Sequence, residues 1–329
     1  MDDMEHMSII SIANRITNEE EAYLYLEELR WGKDLFGQTC PHCGSGRKFY
    51  FLTPKEGGTR RTGSKERASK SARRLWKCAD CRVQFSVTTG TIFHATHVSL
   101  RIWLMVIFEM CANKNGVAAR EIERKYDLTP KTAWFVLHRI REAMKREPLA
   151  GMLKGRVAAD ETYIGGAYAN MHPARRASRP KKPIVFTLVD TETGEARSRV
   201  IPNVTGATLK HAVQADVHRS TVLVTDENQA YIEATRNLAG HVTVNHAKGE
   251  YSRDSGKVTS NAVEGCFSQV KRSIDGTHHH ISAKHLPMYL AEFDFRYSSR
   301  KLSDTARTVR WFGQIEGRRL TYRPLKNGA

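Results

Sequence analysis

Apolar and polar positions follow two different rhythms along the chain, and the change between them falls near residue 150. Upstream, helical spacing prevails. In 17–30 the apolar positions Ala22, Leu24, Leu26 and Leu29 follow Thr17 and Glu20, which are spaced as a capping box. Helices are also expected over 100–113 and 117–126. A third opens with Thr129 as N-cap and Pro130 in the first helical position and runs to about residue 145. Within it Trp134, Leu137, Ile140 and Met144 recur at helical spacing and are expected to face a core, leaving Lys131, Thr132, His138, Arg141 and Lys145 outside.

Downstream, short apolar runs alternate with helical segments. Strands are expected at 156–163, which leads into Gly165-Gly166, at 183–190, and at 195–200 across the turn 191–194. A helix follows at 208–217, a strand at 221–225, a helix at 229–238, a strand at 242–245 and a long helix from about 259 to 274. This order implies an α/β domain with a mixed sheet flanked by helices.

The cysteines sharpen the upstream half. Four of the six form two Cys-x-x-Cys pairs, Cys40/Cys43 and Cys78/Cys81, while Cys111 and Cys266 stand alone and read as small buried hydrophobes. Two such turns can close a tetrahedral Zn²⁺ shell of four sulfurs, a zinc ribbon. Between them, residues 44–77 form an unusually long insertion with eleven basic residues, among them Arg60, Arg61, Arg73 and Arg74. The insertion reads either as a phosphate-contacting loop or as a solvated charged one.

Charge then narrows the partner. Across 329 residues, 52 Lys and Arg stand against 35 Asp and Glu, a formal net charge of +17, which favours a polyanion such as DNA. No apolar run approaches the roughly 20 residues of a membrane span. The N-terminal residues lack the basic and apolar regions of a secretory signal, so a cytoplasmic, nucleoid-associated location is expected, where cysteines stay reduced. The short turn before the third helix resembles a helix-turn-helix, with Lys131 and Thr132 at the groove-entering end; a packing linker is the other reading. The domains expected are a lead-in helix (1–36), the ribbon (37–95), a helical region (96–150), the α/β domain (151–302) and a basic C-terminal tail (303–329).

Two aspartates at the ends of apolar runs carry the candidate chemistry. Asp160 follows Val157-Ala158-Ala159, and Asp226 closes Val222-Leu223-Val224-Thr225. A carboxylate at such a place is costly unless it is hydrogen-bonded or meets a cation. Either could instead cap a turn or helix. On the later helix Asn261, Glu264, Ser268 and Lys271 share one face, so Glu264 can complete an acidic cluster able to hold two Mg²⁺ ions, with Mn²⁺ able to substitute. Lys271 would meet a nearby phosphate. Glu161 and Glu227 are expected on the opposite faces and outside the site. A second basic run, with Arg175, Arg176, Arg179 and Lys182, reads either as a DNA path or as a solvated loop.

Three ordered segments, Asp160-Glu161-Thr162-Tyr163-Ile164-Gly165-Gly166, Thr225-Asp226-Glu227-Asn228-Gln229-Ala230-Tyr231 and Ser260-Asn261-Ala262-Val263-Glu264-Gly265-Cys266-Phe267 with Lys271-Arg272, resemble those of the DDE-type transposases of bacterial insertion sequences. The subgroup with an N-terminal zinc ribbon is the one resembled, through Cys40-Pro41-His42-Cys43-Gly44, Thr89-Gly90-Thr91-Ile92-Phe93-His94 and a tail containing Glu292-Phe293-Asp294-Phe295-Arg296-Tyr297. The resemblance implies a ribonuclease-H-like catalytic domain and a homo-oligomer acting on element ends and target DNA. It also implies 3′-end cleavage followed by strand transfer at one metal site. Asp160 and Asp226 would be the first two ligands and Glu264 the third, with Asn261 as the alternative; Arg272 would be a DNA contact. The other readings are a non-catalytic ribbon and helix-turn-helix regulator, or a structure-selective nuclease of the same fold.

Overall fold

The structure is a computed structural model and describes residues 6–53, 59–62, 65–68, 73–145, 151–165, 181–244, 252–253, 258–259 and 261–321. For 59–62, 65–68, 252–253 and 258–259 only the backbone is described. Two compact units make up the chain. The first comprises Met1–Asn113, Ala119–Ala143 and Leu302–Ala329; the second comprises Lys114–Ala118 and Met144–Lys301.

The first unit opens with α1 (Ile9–Arg15), whose Ser8 and Ser11 form a reciprocal cap, and α2 (Glu19–Trp31). The α2 cap lies one residue later than the sequence suggested. Asn18 accepts from the Glu21 amide at 3.0 Å, while Thr17 donates from its own amide and hydroxyl to the Glu21 carboxylate at 2.6 and 2.8 Å. The ribbon that follows contains β1 (Phe49–Leu52), the hairpin β2 (Thr59–Thr62) and β3 (Lys65–Ala68), then β4 (Leu75–Cys78) and β5 (Gln84–Phe85). Its three-stranded sheet runs β1-β4-β5, all antiparallel. Edge-to-face contacts of Trp31 with Trp76 and Phe85 fasten α2 to it.

Helices α3 (Leu100–Ala112), α4 (Ala119–Tyr126) and α5 (Pro130–Met144) lie close to the expected spans. In α5, Leu137, Ile140 and Met144 are buried as expected, and Trp134 is half-buried. His138 and Arg141, expected outside, are buried instead, at 2% and 1% exposure. Residues 303–329, read as a basic tail, contain the helix Asp304–Phe312, whose buried Trp311 donates from Nε1 to the Ile140 carbonyl at 3.2 Å. Arg139 is buried beside it, donates to the His94 carbonyl at 2.8 Å and lies over the Trp103 ring. The apolar stripe of α5 is thus only part of its packed surface.

The second unit is built on a five-stranded sheet of β6 (Arg156–Tyr163), β7 (Ile184–Asp190), β8 (Ala196–Ile201), β9 (Val222–Thr225) and β10 (Gly240–Thr243) in the order β10-β9-β6-β7-β8. The β6-β7-β8 meander is antiparallel, whereas β9 and β10 run parallel to β6. A central first strand, its meander on one side and two parallel strands on the other, is the ribonuclease-H-like arrangement. A two-residue hairpin pairs β11 (Ser252–Arg253) with β12 (Val258–Thr259).

Alternation along the sheet separates two cores. Val157, Ala159, Phe186, Leu188 and Leu223 pack with α6 (Gly206–Asp216) and the short α7 (Tyr231–Thr235). On the other face Ala158, Val185, Val189 and Val224 pack with α8 (Asn261–Ser273) and α9 (Leu286–Ser298). Helix α9 is fixed to β8 by Asp294, which accepts from the Ser198 amide and hydroxyl at 2.7 and 2.6 Å. Among the described residues no helix is long and apolar enough to cross a membrane.

Candidate metal centres

The two cysteine turns of the ribbon share one hydrogen-bond plan. In the first, the Gly44 amide donates to the Cys40 carbonyl at 2.9 Å and the Cys40 amide to the Ser45 carbonyl at 2.8 Å. In the second, Arg82 donates to Cys78 and Cys78 to Val83, both at 3.1 Å. The residue after each second cysteine is left-handed, Gly44 at φ 72° and Arg82 at φ 60°. Glycine suits that conformation and arginine adopts it at a cost.

These turns bring all four sulfurs within 4.8 Å of one another. Cys40 and Cys81 are 3.6 Å apart and Cys43 and Cys78 3.8 Å. A tetrahedron with Zn–S bonds of about 2.3 Å has edges of about 3.8 Å, whereas a disulfide requires about 2.05 Å. The set therefore fits Zn²⁺. The Cys81 thiol is pushed up to about 12; the Val83 amide opposes the shift, but burial and the three neighbouring sulfurs outweigh it. A cation among the sulfurs would relieve that crowding.

The second unit gathers the acids. Val157 pairs with Leu223 and Ala158 with Val224; carried two residues further, this register sets Asp160 level with Asp226 across the β6–β9 pair. Asp160 shares the sheet face of Ala158 and Ile164, on which α8 packs through Val263, Cys266, Phe267 and Val270. Asn261, Glu264, Ser268 and Lys271 lie together on the exposed side of α8. Asp160 and Asp226 are half-buried. The Asp160 carboxyl is raised from 3.8 to about 6, mainly by burial, with repulsion from Glu161, Asp226 and Glu264 adding to it.

The backbone around both aspartates is tightly tied. The Glu161 amide donates to Asp160 Oδ1 at 2.7 Å and the Asn228 amide to Asp226 Oδ1 at 3.1 Å. Asp226 thus braces the turn after β9 but does not cap the next helix, Tyr231–Thr235, whose N-cap position is Ala230. Thr225 Oγ1 donates to the Asp226 carbonyl at 2.8 Å and lies 2.8 Å from His241 Nε2. Among the described residues, the four cysteines are the only group of three or more Cys, His, Asp or Glu with all ligand atoms within 4.8 Å of one another. The three acids are therefore more widely spaced than that. Their oxygen donors are of the kind that Mg²⁺ takes.

Sequence reasoning set Glu161 aside. It does face away from Asp160, but its carboxylate accepts from Asn228 Nδ2 at 3.0 Å and from the buried Tyr231 hydroxyl. The available signal was the order Asp226, Asn228, Ala230, which forms successive Asx turns: Asn228 Oδ1 accepts from the Ala230 amide at 3.0 Å.

The expected DNA contacts have different environments. Arg73 and Lys131 are exposed, and Thr132 is half-buried with its hydroxyl 2.8 Å from that of Thr129. Arg74 donates to Glu27 at 2.8 Å and lies 4.5 Å from the Phe51 ring centre. Exposed Arg272 donates from Nε to the Ser268 carbonyl at 3.2 Å, and Lys182 is half-buried. Arg175, Arg176 and Arg179, and the side chains of Arg60 and Arg61, lie outside the described residues.

Comparison with known proteins adds the family. Residues 152–298 match the ISXO2-like transposase domain and residues 17–84 the transposase zinc-ribbon domain. The chain carries a transposase domain preceded by a transposase zinc ribbon. A curated relative, the uncharacterized protein in transposable element ISH50 of Halobacterium salinarum, is 24% identical over 293 residues, covering 85% of this chain and 90% of that protein. Two solved structures are similar to parts of the chain, each at 16% identity. They are the catalytic core domain of BIV integrase (TM-score 0.30; 43% of this chain, 82% of that one) and a simian T-cell lymphotropic virus intasome in complex with PP2A regulatory subunit B56 gamma (TM-score 0.28; 54% and 64%). The strand order, rather than these low scores, carries the fold assignment of the second unit.

Proposed function

We propose that this transposase binds the ends of its element as a homo-oligomer, cleaves the 3′ ends and joins them to target DNA, using Asp160, Asp226 and Glu264 to hold two divalent ions. The observation that supports this reading is that Asp160 lies on β6 and Asp226 follows directly after β9, its parallel neighbour, with the charges of Asp226 and Glu264 both acting on the buried Asp160 carboxyl. Glu264 is preferred to Asn261 because a carboxylate binds Mg²⁺ better than an amide does.

Bound Mg²⁺ would supply Lewis-acid stabilisation of the scissile phosphodiester. The chain's own contribution is positioning. The Glu161 and Asn228 amides each occupy one oxygen edge of an aspartate and fix its orientation. Lys271, exposed on the same side of α8 as Glu264, is placed to meet a phosphate. Hydrolysis breaks the P–O3′ bond at the element end and leaves a 3′-hydroxyl. That hydroxyl then displaces a 3′-oxygen from a target phosphodiester. One P–O bond forms for each one broken, so the joining step needs no external energy source.

The ribbon and the basic surfaces are assigned to DNA binding, consistent with the net charge of +17. The test is Asp226→Asn with labelled element ends and a target plasmid. Cleavage and joining in Mg²⁺ should fall below about a thousandth of wild type while end binding persists. Cleavage that survives the substitution would refute the site. Junction cutting without joining would favour the nuclease reading instead.

A further inference from the structure

Beyond the three acids, the structure assigns Glu161 a role as the positioning residue that couples Asp160 to Asp226 where the β-ladder between their strands has ended. This inference rests on the metal-site reading above and adds a residue to it.

The β6–β9 pairing stops at Ala158 and Val224, two residues short of both aspartates. From there β6 continues to Tyr163 on its pairing with β7, while β9 ends at Thr225 and the chain turns toward α7. No strand pairing therefore holds the Asp226 turn against β6 at the level where both carboxylates are needed.

Glu161 occupies that gap. Its amide donates to Asp160 Oδ1 at 2.7 Å. Its side chain, on the opposite sheet face, accepts from Asn228 Nδ2 at 3.0 Å through Oε1 and from the Tyr231 hydroxyl through Oε2. Asn228 in turn donates its amide to Asp226 Oδ1 at 3.1 Å. One residue thus contacts Asp160 directly and reaches Asp226 through a single intermediary. Both Glu161 oxygens carry a hydrogen bond inside the fold, an arrangement suited to a brace rather than to a fourth ligand. Tyr231 is fully buried in the α6–α7 core, which anchors the brace at its far end. Partners that orient ligands in this way typically change metal affinity by 10–100-fold when removed.

The role predicts a difference between two substitutions. Glu161→Gln keeps the shape and can still accept from Asn228 through its amide oxygen while donating to the Tyr231 oxygen. Glu161→Ala loses both links. Mn²⁺ titration by calorimetry on the zinc-loaded full chain reads affinity without turnover. We expect Glu161→Ala and Asn228→Ala each to bind about tenfold more weakly, Glu161→Gln to stay within about threefold of wild type, and the Glu161→Ala/Asn228→Ala double variant to be little worse than either single one. Such non-additivity marks one shared linkage, which general loosening of the fold would not produce.

Wild-type affinity in Glu161→Ala, or a loss in Glu161→Gln as large as that in Glu161→Ala, would overturn the assignment. Should Glu161→Ala fail to fold, Asn228→Ala decides alone, and wild-type affinity there would also overturn it. Asp226→Asn separates this failure from failure of the underlying site. If Asp226→Asn abolishes a Mn²⁺ site that Glu161→Ala leaves intact, only the brace is wrong; if Asp226→Asn binds Mn²⁺ as wild type does, the metal site itself is wrong.

Discussion

The ribbon and the acidic face both assemble candidate ligands from distant parts of the chain, but they do so by different means. In the ribbon, paired backbone turns of one design bring four sulfurs to tetrahedral spacing, and a three-stranded sheet with an aromatic cluster holds the turns in place. On the acidic face, two strands and a covering helix bring carboxylates near enough for Glu264 and Asp226 to raise the Asp160 pKa, yet the ligand atoms remain more widely spaced. Closed geometry suits a structural ion, whereas a site that must admit phosphate oxygens has to stay open. The same requirement explains the support around the aspartates: position is maintained by hydrogen bonds behind the ligands rather than by mutual contact.

The sharpest way to break the comparison is to remove one ligand from each site. Cys78→Ser should release zinc and unfold the ribbon, because structural zinc contributes on the order of 10 kcal/mol to such folds. Zinc content and amide exchange over residues 38–85 would show it, with the α/β unit still protected. A ribbon that kept its exchange protection without zinc would remove the distinction between the sites.

The opposite result is expected on the acidic face. The Asp160 carboxyl is raised to about 6 in the folded chain, so its favourable contribution to the metal-free fold is fully present below about pH 4 and lost as pH rises through about 6. At pH 7.5 Asp160→Asn should therefore stabilise the metal-free protein, by ~2 kcal/mol, while abolishing cleavage. Thermal unfolding with chelator at pH 7.5 and pH 4 tests this; the gain should vanish at the lower pH. Losing a ligand thus destabilises one site and stabilises the other.

Within the acidic set, Glu264→Gln should reduce end cleavage by at least about a hundredfold, and Asn261→Ala by only a few-fold. Rates measured with one labelled end substrate would rank them, and the reverse order would move the third ligand to Asn261. The smallest effect is expected at the second cysteine turn. Arg82→Gly should stabilise the zinc-loaded ribbon by about 1 kcal/mol, since Arg82 holds a left-handed φ of 60°. Unfolding in denaturant at saturating zinc would register it.

Short apolar runs bounded by turn residues revealed the strands of the mixed sheet because they are buried between two cores, and Cys spacing revealed the ribbon because its cysteines lie in local turns. Helix 286–298 was harder to recognise. Leu286, Leu290, Phe293 and Tyr297 are buried at helical spacing, but Glu292 and Arg296 are buried beside them as an ion pair and make that face read as polar. The burial of His138 and Arg141 was not legible in the apolar stripe of α5, on which neither of them falls. The partners of Glu161 were hidden for a related reason. Alternation correctly gives its direction, but only the tertiary fold brings Asn228 and Tyr231 to meet it.

The central claim is that Asp160, Asp226 and Glu264 share divalent ions. Anomalous scattering from crystals of the zinc-loaded protein soaked in Mn²⁺, recorded on the low-energy side of the zinc edge, tests it most directly. Mn²⁺ peaks bounded by these three side chains are expected. Well-ordered acids with no manganese between them, or manganese held elsewhere with Glu264 turned away, would contradict it.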